Sequence, residues 1–430
     1  MTSSQECFVY LTLPGQTEPV TAGRFLIDTL SDGGKVGRFV YGRSYLLRAD
    51  AVPIDPIELN LTNRTYETVR MQGMFGALRD ASPDYWGRQL IERHIGSVAL
   101  FEIDYLLNSP DDRIGALGFG HNPEPPAPKR LFNQMIDLER LQSIADDITN
   151  EREVVGSGLV QVEDLLLAGT SMGGARPKAV VSFEDALWIA KFNVTSDRWN
   201  SALIEHALLL LAQGCGLRVA QSKVVHVGDR DVLLVKRFDR EKTESGYLRH
   251  RMISALTVLR VGDEVTDRSA WSYLALAEEL RRFSAEPKRD ARELFGRMVF
   301  DALVTNTDDH PRNHAFIAQD SWRLSPAYDL TPTPMIGIER RDLAMTCGRW
   351  GRFANAQNLI SECHRFMLEP DEARSVIDCM SAYVKGNWYR AARSAGISER
   401  DCAQIQSAFA YPGFFDELSG QSPVDEPRFI

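Results

Sequence analysis

Asn306-Thr307-Asp308-Asp309-His310-Pro311-Arg312-Asn313-His314 is the densest polar stretch of the chain, set between an apolar helical run, Leu294 to Val304, and the strand-like Ala315-Phe316-Ile317. Two chemistries suit these side chains. A zinc or iron site would use the Asp and His residues, but Pro311 breaks an i,i+4 helical register and no fixed ligand spacing is matched. A phosphotransfer loop would use Asp308 and Asn313, which stand in the D-x-x-x-x-N spacing. There the aspartate takes the proton of the attacking hydroxyl and the asparagine holds Mg2+. About one such pairing is expected by chance in a chain of this composition, so the surroundings must decide.

Downstream, Ala315 to Ile317 and Trp322 to Ser325 read as a short hairpin, followed by Pro326-Ala327-Tyr328-Asp329-Leu330. Asp329 thereby occupies the place of a kinase's second metal-binding aspartate. Upstream, a glycine loop, Gly169-Thr170-Ser171-Met172-Gly173-Gly174-Ala175, precedes two strand patterns, Lys178 to Phe183 and Ala186 to Phe192, joined at Glu184-Asp185. Lys191 lies inside the second strand. Burying an ammonium is costly unless it meets anions, so Lys191 is either an edge residue or a ligand for phosphate or carboxylate oxygens. A helical run from Ser201 to Cys215 carries Glu205 and stops at Gly216, and strands follow at Lys223 to Val227 and Val232 to Phe238. Glycine loop, lysine, helix glutamate, aspartate, asparagine and second aspartate come in the order by which kinases hold ATP.

The same glycine loop admits a rival. Gly169, Ser171 and Gly173 satisfy the G-x-S-x-G elbow of a serine hydrolase, with a distant Asp and His364 to complete a triad. An elbow sits between a strand and a helix, whereas Pro177 and a strand follow here. No Walker A string occurs. Length and composition fit either enzyme: 430 residues, 44% hydrophobic and 25% charged, predict two or three globular parts. The proline-dense His121 to Lys129 reads as a linker. The expected division is an N-terminal α/β module over 1–125, a β-rich nucleotide lobe over 126–245 and a helical lobe over 246–430, an α+β fold. A net charge of −10 gives no overall attraction to a polyanion, so nucleic acid would have to be reached through a basic partner. Six cysteines without a C-x-x-C pair, no long apolar run and no basic leader predict a cytoplasmic chain with reduced thiols and no membrane segment.

Four segments together carry a resemblance. Ser171 to Lys178, Val235-Lys236-Arg237-Phe238-Asp239-Arg240, Thr307 to Asn313 and Ser325 to Asp329 resemble the signatures of HipA-type serine/threonine kinases, the toxins of type II toxin–antitoxin modules. Pro53-Ile54-Asp55-Pro56 and Asp80 to Trp86 extend the likeness into the N-terminal module. The resemblance implies a protein-kinase-like fold with ATP and Mg2+ between the nucleotide and helical lobes. It also implies Asp308 as catalytic base, Asn313 and Asp329 on Mg2+, and Lys191 on the ATP phosphates. Ser171, Gly173, Gly174, Ala175, Lys178 and His310 would contribute to the nucleotide site, and backbone groups near Lys236 and Phe238 would meet the adenine. Lys236 stands where an acidic residue is usual, and Asp309 where a glycine is common. Ser171 matches a serine that family members autophosphorylate. The implied partners are a HipB-like helix-turn-helix antitoxin, DNA mainly through it, and a protein substrate from translation, chiefly an aminoacyl-tRNA synthetase. A catalytically weak nucleotide-binding scaffold for the antitoxin is the non-enzyme alternative.

Overall fold

Strand Lys35–Tyr41 alternates half-buried and buried side chains, the period-two signature of a sheet with one face on a core. In the computed structural model, which describes residues 4–96, 100–128, 132–149, 176–262, 268–335, 337 and 340–418, it is one of five strands of an N-terminal antiparallel sheet. The order across that sheet is Tyr66–Thr68, Lys35–Tyr41, Pro19–Thr29, Ser4–Thr12, Leu117–Gly120. Its inner face buries Phe25, Phe39 and Tyr41. The Tyr41 hydroxyl donates to the Leu59 carbonyl at 2.6 Å and accepts from the Ile54 N–H at 2.8 Å, which ties the segment around Asp55 to the sheet.

The chain divides into two compact units. The first comprises Met1–Ser196, Val225–Thr257 and Ile317–Asp320, the second Asp197–Val224, Val258–Phe316 and Ser321–Ile430. Besides the N-terminal sheet, the first unit holds strands Lys178–Phe183, Ala186–Phe192 and Arg230–Lys236, which lie side by side and antiparallel, with Asn133–Gln134 added in parallel at one edge. Both residues of the expected hairpin turn, Glu184 and Asp185, adopt positive φ of 48° and 58°, the twist that a two-residue connection between right-twisted strands demands. One face of this sheet, with Ala179, Val181, Trp188, Ala190, Phe192, Val232 and Leu234, packs on helices Tyr85–Ile95 and Leu138–Thr149. The sheet is therefore covered on that side by helices distant in sequence.

The second unit is built around helix Pro287–Leu303, where every residue from Leu294 to Leu303 is buried, the pattern of a helix enclosed on all sides. Proline at its first turn lacks only an N–H that would have no helical partner there. Helices Ser201–Gly214, Tyr273–Phe283 and Pro370–Ser394 belong to the same unit. Buried Asp290 accepts from the Ser284 hydroxyl at 2.7 Å and the Leu324 N–H at 3.0 Å, and so fastens the hairpin strand Trp322–Leu324 to this helix. All six cysteines are free, and among the described residues no helix is long and apolar enough to cross a membrane.

Asp55 offers a direct check on the N-terminal unit. Its Oδ1 accepts backbone N–H groups of Ile57 at 2.7 Å and Glu58 at 2.6 Å, while its Oδ2 is buried without a hydrogen-bond partner. Burial pushes its carboxyl up to about 6, against the opposing pull of those N–H bonds. The folded state thus binds a proton that the unfolded chain has already lost between about pH 4 and 6, so stability falls as pH rises through that window and stays lower above it. Asp55→Asn keeps the Oδ1 acceptor and removes the charge. It should raise stability at pH 7.5 by on the order of 2 kcal/mol and flatten the decline between about pH 4 and 6. Thermal melts of both proteins across that range check this, and an unchanged pH slope in the variant would contradict it.

Candidate active site

Helix Pro287–Leu303 is capped by Val304, and at the next residue, Thr305, a non-glycine with φ of 52°, the chain turns into the polar loop. The turn is held from outside. The Thr305 hydroxyl donates to the Ala408 carbonyl at 2.6 Å and accepts from Arg341 at 2.6 Å. The Asn306 amide returns to Asp301 Oδ1 at 2.9 Å. Beyond it, two consecutive aspartates part company: Asp308 is exposed and Asp309 is buried.

The Asp308 carbonyl accepts from the His310 N–H at 2.8 Å and from the Asn313 side-chain amide at 3.1 Å. Pro311–Asn313 forms a single 3-10 turn that brings Asn313 back beside Asp308. Asn313 is itself buried, and with its amide nitrogen engaged its Oδ1 has no hydrogen-bond partner. A buried acceptor left open in this way is a place for a ligand or ion. After the hairpin, the Tyr328 hydroxyl donates to the Arg312 carbonyl at 2.8 Å, and the next residue, Asp329, has φ of 60°. A left-handed aspartate costs roughly 1 kcal/mol or more and persists where the surroundings impose it, commonly at functional sites.

The carboxylates respond to one another. Partial burial and the negative neighbour Asp329 push the Asp308 carboxyl above the usual range, with His310 acting against the rise. Burial would also raise Asp309, but His314, Tyr273 and Asp301 outweigh it and hold it below the usual range. Asp301 moves the other way, raised far above a normal carboxyl by burial and by the charge of Asp309. A side-chain hydrogen bond joins it to Asp309. Spacing in the sequence singles out Asp308 but says nothing of burial; the fold makes Asp309 the interior anion and turns Asp308 outward.

In the first unit, Lys191 is half-buried and sits between Lys178 and Leu233 in register. Its strand neighbours Ala190 and Phe192 face the helices, so alternation puts Lys191 on the other face of the sheet. Lys178 is buried with its Nζ 2.5 Å from Asp84 Oδ2, and Asp84 caps helix Tyr85–Ile95 through the Gly87 N–H. Lys236 and Phe238 are half-buried at the end of strand Arg230–Lys236. The residues that alternate with them, Arg237 and Asp239, are buried ions: Arg237 reaches Asp112 at 2.6 Å and Asp239 at 2.8 Å, and the adjoining Arg240 reaches Asp239 at 2.7 Å. Asp239 also accepts from the Gly115 N–H at 2.8 Å. Half of this signature segment thus locks the 112–115 segment to the sheet, a role with no local sequence signal because its partners are more than a hundred residues away.

The glycine loop, with Ser171, Gly173, Gly174 and Ala175, lies outside the described residues. Glu205, expected to be solvated if it had no function, is buried on its helix. His310 lies in the loop with its Nδ1 buried and without a hydrogen-bond partner, its ring 6.3 Å from that of Trp271. His364, the base of the hydrolase alternative, is an exposed side chain 3.5 Å from Glu362. Among the described residues, no group of three or more His, Cys, Asp or Glu side chains is arranged to hold a metal.

A family model, the HipA-like C-terminal domain, matches residues 170–388, just over half of the chain. The chain belongs to the HipA-like family. The HipA of Shewanella oneidensis, solved with HipB and operator DNA, superposes with a TM-score of 0.68 at 16% identity, covering 94% of each chain. That match shows the α+β, kinase-like fold. Two curated relatives carry provisional kinase names: Y4mE of Sinorhizobium fredii, 28% identical over 166 residues, and a Haemophilus influenzae protein, 26% identical over 144. These matches cover 37% and 31% of this chain. The chain spans 38% and 42% of those relatives' lengths.

The contrast between the paired aspartates is measurable without any assay of function. Asp308→Asn should leave the urea midpoint nearly unchanged, because an exposed side chain is replaced. Asp309→Ala should destabilise by on the order of 3 kcal/mol, because Tyr273, His314 and Asp301 lose a buried acceptor at once. Equal effects of the two substitutions would show that the buried and exposed roles are misassigned.

Proposed function

We propose that this HipA-like chain is an ATP- and Mg2+-dependent kinase that phosphorylates serine or threonine in a protein. The observation that carries the reading is the loop itself. An exposed carboxylate, Asp308, stands beside a buried asparagine with an open Oδ1, and it shares its electrostatic surroundings with Asp329 in a strained backbone conformation. Hard oxygen donors suit Mg2+, so Asn313 Oδ1 and the Asp329 carboxylate fit the ion. Held there, Mg2+ would supply positive charge against the phosphates of ATP. Asp308 takes the proton of the acceptor hydroxyl as its oxygen bonds to the γ-phosphorus, and the bond to the β-phosphate oxygen breaks with its electron pair leaving on ADP. Lys191 supplies positive charge to the phosphates from the sheet face away from the helices. Backbone groups near Lys236 and Phe238 meet the adenine. Lys178, by contrast, serves the fold through Asp84.

In this reading the chain is the toxin of a toxin–antitoxin module and acts in the cytoplasm. Its protein substrate is a translation component such as an aminoacyl-tRNA synthetase. Its antitoxin is a HipB-like helix-turn-helix protein that carries DNA binding on behalf of an acidic kinase. The HipB and operator DNA in the Shewanella complex support that pairing. Ser171 is the autophosphorylation site, since a phosphate there brings a charge of roughly −1.5 to −2 against the phosphates of ATP and opposes keeping the loop over them.

The test is incubation with γ-labelled ATP and Mg2+, followed by peptide mapping of the label on the chain and on added synthetases. Label on Ser171 and on a synthetase serine or threonine is expected. Asp308→Asn should lower transfer by at least about 100-fold while ATP affinity holds. Absence of any transferred label would refute the reading.

A further inference from the structure

We propose that Asp309 is a positioning residue for phosphoryl transfer, aimed by Tyr273 and His314. The inference rests on the kinase reading. His314 Nε2 lies 2.8 Å from Asp309 Oδ2, and the Tyr273 hydroxyl donates to the same oxygen. The two rings pack edge to face, 5.5 Å apart at 75°. All three side chains are within the interior, at 2%, 0% and 2% exposure for Asp309, Tyr273 and His314.

Three features make this a clamp on the reacting loop. The Asp309–His314 contact spans the 3-10 turn Pro311–Asn313 from both sides, so the turn is closed at its base. Within the closed turn, the Asp308 carbonyl receives both the His310 N–H and the Asn313 amide, and the His310 carbonyl receives the Asn313 N–H at 2.9 Å. That carbonyl belongs to the peptide bond joining Asp308 to Asp309. Anchoring Asp309 therefore sets its direction, and with it the outward course of the Asp308 side chain and the rotation of Asn313. Finally, the anchor is itself fixed: Tyr273 is the first residue of a helix capped by Ser272, and its N–H donates to the Thr346 carbonyl at 3.0 Å. A buried charge is a poor way to gain stability, because apolar residues of similar volume do as well, but it dictates geometry.

Two measurements on the full chain test the clamp: steady-state kinetics with ATP and a protein substrate, and amide hydrogen exchange at His310 and Asn313. The variants are Tyr273→Phe, His314→Gln and their double. Asp290→Asn is the control, since Asp290 is a buried carboxylate accepting from four residues, Arg218, Ser284, Arg323 and Leu324, in the same unit, away from the loop. Each clamp variant should lower kcat by about tenfold or more with KM for ATP within about twofold, as small misplacement of a reacting group does. The double variant should fall little further than the worse single one, as expected for two donors serving one acceptor. Exchange at His310 and Asn313 should quicken in the clamp variants alone, while Asp290→Asn lowers the melting temperature and leaves kcat within about twofold. A wild type that transfers no phosphoryl group overturns the kinase reading, and the positioning role with it. An active wild type whose clamp variants lose no more kcat than Asp290→Asn, or whose loop exchange is unchanged, overturns the clamp alone.

Discussion

The carboxylate of Asp309 sits where an unpaired charge could not persist, and the groups that make it tolerable organise the loop around it. Tyr273 reaches it from the start of one helix, Asp301 from the end of another, and His314 from the far side of the turn it closes. Because those donors come from three places in the chain, the loop cannot shift without uncovering a buried ion. Asp308 is left outside as the one aspartate of the pair open to solvent, and Asn313 is left with its amide nitrogen engaged and its oxygen open. Asp308 is exposed here because its neighbour Asp309 is the one held in the interior.

The same division of labour recurs in Val235 to Arg240. Alternation along the segment sends Arg237 and Asp239 into a buried ion cluster with Asp112 and the Gly115 N–H, which Arg240 joins from the next position, while Lys236 and Phe238 remain half-buried. Attraction from Arg237 and Arg240 outweighs the burial that would otherwise raise Asp239, whose carboxyl is held well below the usual range. Removing one partner of such a cluster leaves its counterpart charged in the interior, which is why the signature must be kept as a set. Lys178 shows a third instance. It lies in a signature segment, yet its ammonium is spent on Asp84, the cap of a helix on the other side of a long stretch of chain.

Much of this was legible in local pattern. The strands Lys178–Phe183 and Ala186–Phe192 have the bounds their periodicity predicts, since each is a run of strong formers stopped by a turn. The central helix begins at Pro287, seven residues before the apolar run that starts at Leu294, because its first turn is polar. The N-terminal module read as short strands beside a helix, but that those strands form one five-stranded antiparallel sheet depends on pairing between Leu117–Gly120 and Ser4–Thr12, which no local pattern displays. The order Lys191, Asp308, Asn313, Asp329 was visible as spacing. What spacing could not show is direction: which of two adjacent aspartates is buried, and which atom of Asn313 is left open, are decided by Tyr273, Asp301 and His314.

In the proposed reading, the open Asn313 oxygen and the Asp329 carboxylate hold Mg2+ when ATP binds. Calorimetric titration of the full chain with ATP, in Mg2+ and again in EDTA, tests it most directly. The account predicts tight binding in Mg2+ that weakens by at least about tenfold in EDTA, and Asn313→Ala and Asp329→Ala variants that bind ATP in Mg2+ no better than the wild type does in EDTA. Wild-type binding indifferent to Mg2+, or variants that keep the full Mg2+ enhancement, would contradict it.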